Sequence, residues 1–327
     1  MERKKRGYLL VNFGGPRSLV EVRPFLEALL TDQEVVRTKF PSFIHKLLFK
    51  KIAKKRAIKI QNDYASIGGK SPVYEDTEHV ANALRRQLHG PLVTFHRYLP
   101  ATHKESLYQI KTLDVDKIVV FPMFPHFTYA TTGSCATFFD RHLPSKINFK
   151  IRWVKSYPTH PAFIDLFSYC INEYLAQHHL RANNTVLLFS AHGLPKLFID
   201  TGDIYQSEIE NTFFKVMEQF PEAVGQLAYQ SKFGPGEWLT PSTEDVCRDV
   251  DIWNKDKKAV LFIPISFTTD HIETLFEIEK KYVPLIKKKG IDVHRLPAFN
   301  GRKEWIDTIL AILRDAPFSS NSMLLRH

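Results

Sequence analysis

Cysteine is scarce in this chain, three in 327 residues. Cys135, Cys170 and Cys247 are odd in number and far apart, and no CxxC pair occurs. That excludes a zinc ribbon and gives no support to a disulfide framework, and it fits a reducing cytoplasm. Long apolar runs are missing too. None approaches the roughly 20 residues that a membrane-spanning helix needs. The start, Met1-Glu2-Arg3-Lys4-Lys5-Arg6 followed by apolar residues 8–13, has the outline of a signal peptide. Its apolar part is too short, and Gly14-Gly15-Pro16 ends it, so an initial buried strand is expected instead. Gly14-Gly15-Pro16-Arg17 has neither the dinucleotide glycine spacing nor a P-loop lysine, which argues against a nucleotide enzyme. Acidic residues are outnumbered, 35 against 45 Lys and Arg, for a net charge of +10. Such a balance suits nucleic acid, an anionic membrane surface or acidic ligands alike. No nucleic-acid-binding motif favours the first.

What the chain has in abundance is alternation. Its 44% hydrophobic content is arranged as short apolar runs between amphipathic stretches, the pattern of parallel sheets with crossover helices. Strands are expected over 8–13, 92–96, 117–121, 150–154, 185–189, 226–230, 258–263 and 292–295. Helices are expected over 20–30, 77–88, 162–177, 205–219, 272–281 and 302–314. The halves echo one another: residues 9–16 resemble 187–195, and 117–122 resemble 258–264. Two similar α/β domains follow, 1–158 and 159–316, with the last helix left free to pack back on the first, and a frayed serine-rich tail over 317–327.

Two strand ends stand out. Residues 184–189 form a buried apolar run that delivers Ser190-Ala191-His192-Gly193-Leu194-Pro195 to a sheet edge, where α/β proteins bind ligands. Residues 259–264 likewise deliver Thr269-Asp270-His271-Ile272-Glu273. An arbitrary histidine is more often just hydrogen-bonded in a loop. A strand-end position among small residues favours a proton acceptor or metal ligand. Asp270, Glu273 and Glu277 share one helix face. Asp270 and Glu273 also suit a capping box, which leaves Glu277 unexplained. A line of carboxylates is what proton removal or delivery of a hard cation requires. The loop 229–235 with Trp238 is turn-rich and aromatic, and alone says little. Residues 41–59 mix Phe43, Ile44, Leu47, Leu48 and Phe49 with seven Lys and Arg. They read as an ordinary amphipathic helix, or as a greasy cationic lip for an apolar ligand with carboxylates or an anionic membrane.

Taken together these residues resemble the ferrochelatase family, enzymes that insert ferrous iron into a porphyrin. The likeness spans about Gly7 to Asn300 and rests on residues 9–16, 64–72 (YASIGGKSP), 131–134, 190–195, 230–238 and 264–277. The resemblance implies two Rossmann-like domains, each a four-stranded parallel sheet flanked by helices, with a porphyrin cleft. It implies that His192 and Glu273 are catalytic and handle the metal, acting as base and transient ligand from opposing walls. Asp270 and Glu277 would form a proton or metal path behind them. Phe13, Arg56, Tyr64, Ser71, Arg97 and Trp238 would lie near the porphyrin or its propionates. Ferrous iron is then a substrate, with no permanently bound cofactor. Relatives with a [2Fe-2S] cluster carry one cysteine before the Thr-Thr-Gly-Ser motif and three near the C-terminus. Here Tyr129 stands at the first position and no cysteine follows Cys247, so no such cluster is expected. Phe13 stands where relatives that use coproporphyrin commonly carry tyrosine, which favours protoporphyrin IX. His126-Phe127 lies where many relatives carry tyrosine. The implied setting is cytoplasmic, with peripheral membrane contact left open. The alternatives are a chelatase for another metal or tetrapyrrole, including coproporphyrin III, and a non-catalytic haem or porphyrin carrier. A carrier has no use for the acidic line.

Overall fold

The structure, a computed structural model, describes residues 5–326. The first four residues of the basic start and the final residue of the tail lie outside them. The chain divides into two units. One runs to Ser156 and resumes at Gly301, and the other is Tyr157–Asn300.

The first unit holds β1 (Arg6–Asn12), β2 (Leu92–His96), β3 (Lys117–Pro122) and β4 (Ile151–Val154), parallel in the order β2-β1-β3-β4. The second holds β5 (Thr185–His192), β6 (Val224–Gln230), β7 (Ala259–Ile263) and β8 (Asp292–Arg295), parallel in the order β6-β5-β7-β8. The topology is therefore the same in both, as the sequence echo suggests. Strands β5 and β7 are buried almost throughout, which is why they read as unbroken apolar runs rather than alternating ones. In each sheet the winding direction reverses beside the first strand, between β1 and β3 and between β5 and β7. Crevices at such switch points are where open α/β sheets bind ligands.

The expected tail and helices need correcting in three places. The serine-rich tail is not frayed. Phe318–Ser320 forms β9, antiparallel to β4, so the first sheet has five strands rather than four. Leu324 is fully buried in the core cluster that contains Phe139 and Trp153. Trp153 Nε1 donates to Asn321 Oδ1 at 2.9 Å. The helix Lys303–Asp315, with Trp305, Ile309 and Ile312 buried, belongs to the first unit. Helix Ser42–Ala65 is not an ordinary amphipathic helix. It buries only His45, Ala53, Ala57 and Tyr64, while Phe43 and Leu47 are 73% and 61% exposed. Finally, the helix expected over 272–281 is a π-helix, Glu273–Tyr282, continued by a short α-turn, Val283–Lys287. A shorter π-wound segment, Tyr129–Gly133, follows β3 in the first unit. Both switch-point loops thus run into π-wound chain, a winding concentrated at functional sites.

Candidate active site

Strand β5 pairs with β6 as far as His192↔Gln230, but with β7 only as far as Phe189↔Ile263. The ladder therefore opens on the β7 side three residues before His192, at the switch point. Gly193 is required by close approach: a Cβ there would lie 2.7 Å from the Gln230 carbonyl oxygen.

His192 and Glu273 meet directly. Nδ1 of His192 lies 2.7 Å from Oε2 of Glu273, which corrects the expectation that they stand on opposing walls. They are neighbours on the edge of one sheet, contributed by the two strands that flank its switch point. The imidazole side chain is 37% exposed, and its Nε2 has no hydrogen-bond partner among the described residues. Burial pulls the His192 pKa down, but the charge and hydrogen bond of Glu273, aided by Glu277, outweigh it and leave it raised. Burial pushes Glu273 up, and the His192 charge and hydrogen bond, with His271 and Ser231, overcome this and hold it low. Glu277 is raised, by burial first and then by the Glu273 charge. Ser231, at φ 64°, joins the carboxyls: its Oγ lies 3.0 Å from Glu273 Oε2 and 2.5 Å from Glu277 Oε2. One hydroxyl carries one proton, so the second contact needs a proton on Glu277, in line with its raised pKa. Lys281 Nζ stands 3.4 Å from Glu277 Oε1 at the outer end.

The capping box does not form. The N–H of Asp270 donates to Asn300 Oδ1 at 2.8 Å, and the Glu273 carboxylate turns to His192 instead. Asp270 itself is consumed by structure. Its Oδ1 accepts from Thr274 Oγ1 and from Arg295 Nη1, each at 2.8 Å, and its Oδ2 accepts from Asn300 Nδ2 at 2.9 Å. The acidic line is therefore Glu273 and Glu277, and Asp270 anchors the segment that carries them. His271 packs edge-on against Phe267, ring centroids 4.5 Å apart. Burial keeps its pKa low despite the nearby Glu273 and Asp270 charges. Trp238 bridges to Pro195 beside His192. Its buried Nε1 has no partner among the described residues.

The remaining sequence-derived candidates lie in the first unit. Phe13 follows β1, its ring edge-to-face with Tyr98 at 4.5 Å and with Phe25 at 6.2 Å. Ser71 is 2% exposed. It donates its N–H to the Pro16 carbonyl at 2.7 Å and packs so closely on Gly15 that a Cβ there would sit 2.6 Å away. Arg97 is already compensated: Nη2 lies 2.5 Å from Asp32 Oδ2, and Nε donates to Ser134 Oγ at 2.8 Å. Tyr98 and Ser134 donate to the same Asp32 oxygen at 3.0 and 2.5 Å. This network accounts for Ser134 of the Thr-Thr-Gly-Ser motif. Arg56 is half-buried on helix Ser42–Ala65, with its pKa lowered by burial. Tyr64, near the end of that helix, is 2% exposed. His126 is buried, its pKa pushed down to about 3 by that burial. Sequence reasoning missed Ser231 as a link between the two glutamates and Asp32 as the partner of Arg97. Only the Gln-Ser-Lys loop after β6 hinted at the first, and nothing local marks the second.

Cys135, Cys170 and Cys247 are buried and none is in a disulfide among the described residues, and burial pushes the Cys135 thiol up to about 12. Among the described residues no three His, Cys, Asp or Glu side chains gather as a metal cage. A switch-point histidine tied to a carboxylate on a doubled α/β fold defines the class, a chelatase-like enzyme. The fold resembles solved chelatases. CbiX, described as the terminal enzyme of sirohaem biosynthesis in denitrifying bacteria, aligns over 94% of this chain and 98% of its own at TM-score 0.52 and 14% identity. SirB from Bacillus subtilis aligns over 95% and 94% at TM-score 0.52 and 13% identity. The ferrochelatase family model matches residues 5–316. Ferrochelatase from Chlamydia caviae is 45% identical over 98% of both chains. That from Chlamydia trachomatis serovar D is 42% identical over 95% of this chain and 96% of its own. The chain belongs to the ferrochelatase family, enzymes that insert metal into a porphyrin in the last step of haem synthesis.

Proposed function

We propose that the porphyrin substrate is protoporphyrin IX, converted to protohaem by insertion of ferrous iron, with His192 as the base and Glu273 as its ionised partner. The observation that carries the assignment of roles is the 2.7 Å contact between His192 Nδ1 and Glu273. It occupies Nδ1 and leaves Nε2 to take a pyrrole proton, and the carboxylate stabilises the imidazolium that forms. Metallation releases two pyrrole protons, so the base must be restored within each turnover. Glu273, Ser231 and Glu277 make a continuous hydrogen-bonded route from the imidazole toward Lys281. The ionised Glu273 carboxylate and a neutral His192 also suit transient contact with a ferrous ion that has shed water. Neither needs to hold it permanently.

Phe13 supports protoporphyrin IX, because its half-buried ring offers no hydroxyl at a position where coproporphyrin-using relatives commonly have one. Anaerobic turnover of protoporphyrin IX and coproporphyrin III side by side tests the choice, and faster turnover of coproporphyrin III would reverse it. Uptake assays with ferrous, cobalt and zinc ions test the metal. We further propose that no iron–sulfur cluster is present, since three buried thiols cannot supply four thiolates. We also propose a cytoplasmic setting with peripheral contact to an anionic membrane. The exposed Phe43, Ile44 and Leu47 beside Lys46, Lys50 and Lys51 favour that contact. No helix among the described residues is long and apolar enough to cross a membrane.

A further inference from the structure

The geometry points to Tyr205 and Ser266 as positioning residues that hold the backbone of His192 at its C=O and its N–H and so set its imidazole against Glu273. The inference rests on His192 as the base. Gly193 donates its N–H to Gln230 on the β6 side at 2.8 Å. Because backbone groups alternate along a strand, the N–H and C=O of His192 face the β7 side. There the ladder has already ended, at Phe189↔Ile263. A crevice at a switch point thus leaves one donor and one acceptor of the catalytic residue without ladder partners, a costly arrangement in a mostly buried setting. Side chains replace the ladder. The N–H of His192 donates to Ser266 Oγ at 3.0 Å. The Tyr205 hydroxyl donates to the His192 carbonyl at 3.0 Å.

The two residues come from different elements. Ser266 lies just beyond β7, in the loop that leads to Asp270 and Glu273. Tyr205 is the first residue of helix Tyr205–Met217. It is 5% exposed, and burial raises its pKa, so it stays a neutral donor. The clamp therefore ties the base to the loop that delivers its carboxylate partner. Loss of either hydroxyl lets the peptide rotate and lengthens the contact between His192 and Glu273. Both contacts are to the backbone of His192, so porphyrin affinity should not depend on them.

Tyr205→Phe, Ser266→Ala and Ser266→Thr should be compared with His192→Ala. Each variant is assayed for anaerobic iron insertion, for porphyrin binding by fluorescence, for thermal unfolding, and for the His192 ring signals by nitrogen NMR. Tyr205→Phe and Ser266→Ala should each lower kcat by about tenfold, the rate equivalent of one hydrogen bond of about 1.4 kcal/mol. The porphyrin KM should stay unchanged and the His192 ring signals should move. Ser266→Thr, which keeps the hydroxyl, should restore the rate. If Ser266→Ala does not fold, Ser266→Thr with native ring signals beside shifted signals in Tyr205→Phe supports the clamp. Unchanged ring signals and native kcat in folded Tyr205→Phe and Ser266→Ala, beside an inactive His192→Ala, would overturn this inference alone. Native turnover by His192→Ala would overturn the assignment of the base and the clamp's catalytic purpose together.

Discussion

His192 and Glu273 are separated by 81 residues in the chain and by 2.7 Å in space. As one hydrogen-bonded unit they should fail as one. His192→Ala and Glu273→Gln should each remove most iron insertion while leaving porphyrin binding and the fold intact. The double variant should lose little more, as groups acting on one step are non-additive. Steady-state kinetics on all three variants checks this, and near-native turnover by folded His192→Ala would refute it. Their titration is equally specific. The raised His192 pKa keeps the ring charged to a higher pH than the ordinary 6.5, and a charged ring can neither take a proton nor receive a cation. Activity should therefore fall with acid through a midpoint above 6.5. In Glu273→Gln the burial penalty is opposed only by the weaker Glu277 charge, so the His192 ring titration followed by NMR should move down. The pair also links pH to stability. The lowered Glu273 stabilises the fold above its ordinary 4.5 and loses this as pH falls through its folded value. The raised His192 contributes fully below 6.5 and loses this as pH rises through its folded value. Equilibrium unfolding against pH should show the pair's contribution greatest between the two.

The element that matters most is the π-helix Glu273–Tyr282, which begins at the Glu273 carboxylate and carries Glu277 to the same Ser231 hydroxyl. Its approach is fixed by Asp270, whose carboxylate is buried against Arg295 at 2.8 Å with Thr274 and Asn300 around it. Arg295 also reaches Glu279 at 2.7 Å, so β8 is tied both to the π-helix and to the segment that leads into it. Asp270→Ala would leave a buried guanidinium with one partner. It should cost about 3 kcal/mol, the low end for breaking a buried ion pair because Glu279 remains. Chemical denaturation measures this directly. A change within error would mean the network relaxes without strain. In the first unit Arg97 has the same character, tied to Asp32, Tyr98 and Ser134. Arg56 is half-buried on a lysine-rich helix, with its pKa lowered by burial. Arg56→Ala should raise the porphyrin KM more than it lowers kcat. An unchanged KM would assign it to the surface.

At the scale of the whole molecule, one topology occurs twice, and in each copy the switch point opens beside a π-wound segment. The copies differ in chemistry. The second holds the His–Glu pair, and the first holds an arginine–aspartate network of Arg97, Asp32, Tyr98 and Ser134. The C-terminal chain belongs to the first copy, where β9 covers the edge of β4 and Leu324 fills the core. Leu324→Ala should cost about 3 kcal/mol, as for other buried leucines. A chain ended at Ala316 should unfold at lower temperature. Unchanged melting of both would show that the tail adds nothing. Anaerobically prepared protein should contain no stoichiometric acid-labile sulfide and no cluster absorption band, and finding either would overturn the proposal of a cluster-free enzyme.

Much of this was legible in the residues alone. Buried parallel strands must be apolar on both faces, so β1, β3, β5 and β7 read as contiguous runs, and the polar residues that end β5 and follow β7 announced His192, Glu273 and Glu277. The three cysteines were enough to argue against a cluster or a disulfide framework. What the tertiary structure decided was partnership. A charged or polar residue does not reveal in sequence whether it meets a ligand or another side chain, because its partner can lie anywhere along the chain. Asp270 therefore belongs to Arg295 and Asn300, Arg97 belongs to Asp32, and Ser231 belongs to two glutamates. Short β9 has too few apolar residues to announce itself, and only its pairing with β4 makes it a strand. The same limit applies to His192 and Glu273: composition marks them as reactive, but only a sheet that reverses between β5 and β7 brings them within one hydrogen bond.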